Sequence, residues 1–257
     1  MLLRCCLAVV LSFSLVHAAS AQVETVTPDD PSGWLIGPFG APPPVEFVDG
    51  PDTPPLGSGS YRAAIVDPAS KIILLRNEFH DLPLSDLTAL SFWTYVDPVA
   101  SNTNNWYVNL YLDADGDGVY ETRLDYVPPP AQVATGMWQF WDAFLGVWQI
   151  NTGGSSTLAD FLIANPNARI NAFNLPEGGA LRWNMGDTAS SYVGFVGNLD
   201  GVRVAVNGVG DVTWDFERTG VPIQAIPTLD APFLVVLAVL FLMVGTWRLR
   251  RRVSRSR

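Results

Sequence analysis

Trp106-Tyr107-Val108-Asn109-Leu110-Tyr111-Leu112-Asp113 runs into Ala114-Asp115-Gly116-Asp117-Gly118, and then into Val119-Tyr120-Glu121-Thr122-Arg123-Leu124-Asp125-Tyr126-Val127. In both flanks residue character changes at every second position. Side chains alternate across a strand, so Trp106, Val108, Leu110 and Leu112 share one face, and Tyr107, Asn109, Tyr111 and Asp113 share the other. The acidic, glycine-rich middle favours a turn. The stretch therefore predicts a β-hairpin with strands over 106–113 and 119–127.

The same signature recurs along the chain. Short alternating runs bounded by Gly, Pro, Asn and Asp predict strands over 61–66, 71–76, 90–96, 137–144, 169–173, 192–196, 201–206 and 212–216. One helix is expected over 158–165, capped by Thr157 with Asp160 three residues on, and stopped by Asn165-Pro166. Residues 38–58, rich in Pro and Gly, read as an ordered loop. Many short strands and one short helix imply an all-β domain, an antiparallel jelly-roll-like β-sandwich.

The 257 residues carry a formal net charge of −10 and are 48% hydrophobic. That composition excludes whole-chain disorder. The charge is unevenly spread: residues 22–225 hold 24 acidic and eight basic residues, a net of −16, with Lys71 the only lysine. Nucleic acid is excluded as a partner, because phosphate binding needs a basic face. Both cysteines, Cys5 and Cys6, lie in the N-terminal segment, and His80 is the one histidine beyond it. The usual zinc sites are thereby excluded.

The two ends read as addresses. Residues 1–21 combine Arg4, an apolar stretch and Ala19-Ser20-Ala21, the pattern of a cleaved signal peptide. Near the other end, Ile226-Pro227-Thr228-Leu229 precedes 17 uncharged residues, 231–247, and then an arginine-rich tail, 248–257. The run is long enough for a single transmembrane helix, and the arginines place the tail in the cytoplasm and the domain 22–225 outside.

This C-terminal arrangement resembles the IPTL-CTERM sorting signals of Gram-negative bacteria, in which such a motif precedes one membrane helix and a basic tail. The resemblance covers residues 226–257 and rests on Ile226, Pro227, Thr228 and Leu229 with the order of helix and arginines. It implies export, tethering in the inner membrane, processing by an exosortase-like enzyme, and transfer to the cell surface or extracellular matrix. The domain itself resembles carbohydrate-binding-module-like jelly rolls through Gly33-Trp34, Gly57-Ser58-Gly59-Ser60-Tyr61, the strand from Leu90 to Tyr95, Gly136-Met137-Trp138-Gln139, and a closing strand from Gly197 to Val204. That likeness implies an extracellular polysaccharide as partner.

Two features can carry chemistry. Asp113, Asp115 and Asp117, followed by the Val119 carbonyl and Glu121, offer alternating oxygens to a hard cation such as Ca²⁺. An EF-hand requires a glutamate at the twelfth position; here that place is Leu124, with Asp125 beside it. The expectation is a calcium loop at a hairpin tip, against a bare Asp-Gly turn. The second feature is aromatic: Trp93, Tyr107, Asn109, Tyr111, Trp138 and Trp141 suit a sugar, with rings on its C–H faces and amides on its hydroxyls. The alternative is that these rings are sandwich core. The Tyr107/Asn109/Tyr111 face is the favoured site, because a strand buried on both faces has no need of Asn109.

No catalytic residue is assigned. His80 has no Gly-x-Ser-x-Gly elbow to serve. Asp215 and Glu217 share a strand face, but such pairs are common. The expected function is a non-catalytic glycan- or matrix-binding surface module. The alternatives are a structural surface protein without a small ligand and a polysaccharide-acting enzyme on the same scaffold.

Overall fold

The computed structural model describes residues 21–40, 45–171, 180–187 and 190–219. The export segment up to residue 20, the sorting motif 226–229 and the apolar run 231–247 lie outside the described residues. No helix among the described residues is long and apolar enough to cross a membrane. The chain divides into two compact units, Met1–Val221 and Pro222–Arg257.

Among its described residues the first unit is all-β with one α-helix. Its strands among the described residues are β1 (Gln22–Val26), β2 (Leu35–Gly40), β3 (Val45–Asp49), β4 (Gly59–Ala64), β5 (Ser70–Arg76), β6 (Leu87–Val96), β7 (Tyr107–Asp113) and β8 (Thr122–Tyr126). They continue as β9 (Trp138–Asp142), β10 (Val147–Ile150), β11 (Ser155–Thr157), β12 (Arg169–Ile170), β13 (Leu181–Met185), β14 (Val196–Val206) and β15 (Gly210–Phe216). Helix α1 (Leu158–Ala164) starts as expected, with Thr157 accepting a hydrogen bond from the Asp160 amide.

Two sheets form, consistent with a β-sandwich. The first holds β1, β15, β14, β4, β3, β6 and β9; the second runs β11-β10-β8-β7-β13-β5-β2, with β12 also on β7. All pairings are antiparallel except β1 with β15. Strand β14 is the branch point of the first sheet. One edge carries β6; the other carries β4 along 196–199 and β15 along 202–206. At the fork the register shifts and Gly201 adopts φ +56°, where an L side chain is disfavoured.

One apolar core lies between the sheets. Trp106, Trp148, Trp183 and Trp214 are fully buried in it. Trp34 meets Trp183 and Trp214 edge-on, each at 5.3 Å between centroids. The Arg76 guanidinium lies over the Trp214 ring at 4.6 Å.

Three expectations are corrected. Residues 38–58 are not all loop: β2 ends and β3 runs within them, and among the described residues the irregular part is the one after Asp49. The strand expected over 192–196 is absent, because Ser190–Tyr192 is a 3-10 turn and the chain becomes extended only at Val196. The segment from Gly197 to Val204 does not close the fold either; β15 follows it and pairs with β1.

Candidate functional sites

The acidic loop between β7 and β8 is tightly folded. The Asp113 carboxylate, buried at the end of β7, accepts from the amides of Gly116 (2.6 Å), Asp117 (3.2 Å) and Gly118 (2.7 Å). Asp115 accepts from the Asp117 amide at 3.1 Å, and Asp117 from the Val119 amide at 2.8 Å. Glu121 reaches back to the Ala114 amide. Ligand oxygens of Asp113, Asp115, Asp117 and Glu121 come within 4.8 Å of one another, so the four can hold a metal ion. Asp113 is buried while Asp115, Asp117 and Glu121 are exposed. The loop is held to the end of β12, where Asn171 donates to the Gly118 carbonyl at 3.3 Å.

Asp125 does not join that group. It accepts from Arg123 Nε at 2.6 Å and Nη2 at 2.8 Å, and from Asn109 Nδ2 at 2.5 Å, on the side-chain face of β7 and β8 that carries Asn109. The Val119 side chain is exposed at the turn.

The aromatic candidates divide among three places. Trp141 points inward, and its indole donates to Thr94 Oγ1 at 2.7 Å. Tyr107, Asn109 and Tyr111 are buried rather than open, because β7 is covered on both faces. Asn109 is satisfied there by Asn184 on β13 (2.9 Å) as well as by Asp125. Arg182 lies over the Tyr111 ring at 4.6 Å and Lys71 over the Tyr107 ring at 5.5 Å. Burial, and then the charges of Arg123 and Arg182, pull the Lys71 amine down to about 8. Burial pushes the Tyr107 phenol up, and its hydroxyl donates to the Gly186 carbonyl at 2.9 Å. This cluster is a closed polar layer.

Trp93 and Trp138 lie elsewhere, on the outer face of the first sheet. The register sets three rows across β14, β6 and β9: Arg203, Ser91 and Asp142; Asp200, Trp93 and Phe140; Asn198, Tyr95 and Trp138. Trp93 and Phe140 meet at 5.2 Å, and Tyr95 and Trp138 at 5.7 Å. Phe140 is 49% exposed. Trp93 and Trp138 are half-buried. Alternation along the sequence places Trp93 and Tyr95 on one face and names Trp138, but Phe140 was missed; it sits one alternation from Trp138 on the same strand, so period two could have found it.

Residues 50–58 form a strap along the edge of this aromatic face. The Pro51 carbonyl accepts from the Trp138 indole at 2.9 Å. The Leu56 amide donates to Asp200 at 3.3 Å, and the Ser58 and Gly59 amides to Glu217 Oε1 at 2.6 and 3.0 Å. Asp200, Asp215 and Glu217 are therefore buried together under it, at 0%, 0% and 4% exposure. Burial, and then the nearby Glu217, push the Asp215 carboxyl up to about 7. Burial outweighs the amide hydrogen bonds and raises Asp200 well above the usual carboxylate range. The Asp215–Glu217 pair is thus sealed from solvent rather than open on a cleft. His80 is exposed in the turn after β5.

Comparison with known proteins adds little. No family model and no curated protein matches the chain. Among solved structures, the enzymatically active domain of tailspike protein 4 from bacteriophage CBA120 is similar over 68% of this chain and 19% of that one, at 13% identity and a TM-score of 0.38.

Proposed function

We propose that the β-sandwich is a non-catalytic binding module for an extracellular glycan, of jelly-roll type, with its ligand face on the outer side of the first sheet. The observation that carries the reading is the Trp93–Phe140 pair, with Phe140 half exposed and Trp138 and Tyr95 beside it. Adjacent rings offer two stacking surfaces to the C–H faces of a sugar. Asp142 and Arg203, in the next row, supply hydroxyl partners. In this reading Ca²⁺ holds the Asp113 loop, and the signal peptide and sorting tail export and tether the domain with the ligand face outward. The acidic character of residues 22–225 suits an exterior rich in divalent cations.

A glycan array probed with the full chain in mild detergent tests the ligand face. At least one polysaccharide class should be retained, and Trp93→Ala or Phe140→Ser should lower retention at least tenfold without moving the melting temperature by more than ~3 °C. An array without binding, or binding indifferent to both substitutions, removes the face. The first of those results leaves a structural surface protein without a small ligand.

A further inference from the structure

The carboxylates under the strap are not explained by the glycan reading, and their bonding is uneven. Glu217 accepts two backbone amides and the Ser58 hydroxyl, the last at 3.2 Å. Asp200 accepts the Phe216 amide at 3.0 Å and the Leu56 amide at 3.3 Å. Asp215 is fully buried, yet both of its carboxylate oxygens lack a hydrogen-bond donor among the described residues. Buried acceptors ordinarily find partners, and buried charges are paired or coordinate metals. No lysine or arginine among the described residues forms an ion pair with any of the three acids. The charges that act on Asp215 and Asp200 are those of other acids.

The surroundings are shaped to bring these oxygens together. The position a Cβ would take on Gly57 lies 1.7 Å from Glu217 Oε1 and 2.9 Å from Asp215 Oδ2. On Gly59 it would lie 2.7 Å from both Glu217 Oε2 and the Phe216 carbonyl oxygen. Only glycine at both places lets the strap close over the acids. We propose that Asp215 and Glu217 form a buried site for a hard divalent cation of the calcium class, closed over by Gly57, Ser58 and Gly59. Such an ion takes several oxygens at once, and each carboxylate keeps lone pairs that the amides leave unused. The site is separate from the Asp113 loop, so the fate of one does not decide the other.

The test uses the full chain in detergent with the surface loop disabled by Asp115→Asn and Asp117→Asn. After gel filtration in calcium chloride at pH 7.5, metal analysis should still find one calcium per chain. Chelator should then lower the melting temperature by ~5 °C or more, as expected for an ion held only by the folded state. Adding Asp215→Asn should abolish the bound calcium and the chelator shift, while the variant in chelator melts no lower than its parent. Should that variant fail to fold, terbium luminescence in the loop-disabled parent decides. Trp93, which approaches the position a Cβ would take on Gly201 to 2.9 Å next to Asp200, should sensitise terbium, and calcium should quench the signal by competition. A loop-disabled parent with no bound calcium, no terbium signal and the same melting temperature in calcium and chelator overturns the site and leaves a shared proton in its place.

Discussion

The molecule gathers carboxylates twice, in opposite ways. At the tip of β7 and β8 the acids are local: Asp113, Asp115, Asp117 and Glu121 lie within nine residues and mostly face water. Their oxygens are occupied by amides of the same turn. Under the strap the acids are distant in sequence from what covers them, and 158 residues separate Gly59 from the Glu217 it binds. There Asp215 has no hydrogen-bond donor among the described residues. A local acidic turn is folded by its own backbone and can do without an ion. A non-local acidic cluster is assembled by tertiary structure, so it depends on whatever offsets its charge. Burial, not the number of acids, sets the demand for a counter-ion.

That contrast can be broken most sharply at its glycines. Gly57→Ala drives a methyl into Glu217 at φ +48°, and should cost ~3 kcal/mol or more of unfolding free energy in denaturant titration. Gly118→Ala, at φ +90° with open space around it, should cost only ~1–2 kcal/mol. Equal costs would mean that the strap does not clamp the acids. Next in size is Asp113→Ala, which strands three backbone amides and should cost ~2–3 kcal/mol by the same measurement. Asp115→Ala, exposed and bound to one amide, should stay within ~0.5 kcal/mol in chelator. A large loss at Asp115 would show that the loop needs its metal to fold.

Acidity separates the clusters further. Asp215 is raised from 3.8 to about 7, so the folded chain binds more protons than the unfolded one between those values. In chelator, stability should fall as pH rises from about 4 to about 7 and then level off, and Asp215→Asn should flatten that slope. Thermal melts across this range read the effect directly; a rise in stability with pH that Asp215→Asn leaves unchanged would contradict it. The smallest change is expected at Arg62→Ala, whose 3.2 Å pair with Glu46 is partly exposed on both sides. It should move the unfolding free energy by less than ~0.5 kcal/mol.

How much was legible in the sequence follows the same division between local and distant. The β7–loop–β8 hairpin, the acidic cluster at its tip and the Thr157 cap were readable, because alternation, Asp-Gly turns and capping are written within a few residues. Asn109 misled, since a polar residue in a strand was taken to mark an open face. A buried strand can carry Asn109 when the neighbouring strand supplies Asn184, and that pairing joins residues 75 apart. No strand is expected from the sequence over β13, Leu-Arg-Trp-Asn-Met, although its apolar residues alternate; Arg182 and Asn184 are buried there because β5 and β7 flank the strand. Period two puts Asp215 and Glu217 on one strand face, and nothing near them in sequence marks that face as covered. Only the strap, from the other end of the domain, turns that face into an interior.

The parallel pairing of β1 with β15 has a mechanical consequence. Gln22 to Val26 lie beside Val212 to Phe216, while β14 flanks the other edge of β15. A tether attached beyond Phe216 pulls along β15. Its hydrogen bonds run across the strand, perpendicular to that pull on the β14 side and slanted to it on the β1 side. They are loaded together in shear rather than opened one after another like a zipper. If the domain is tethered as proposed, it resists drag at the very strand through which the force enters.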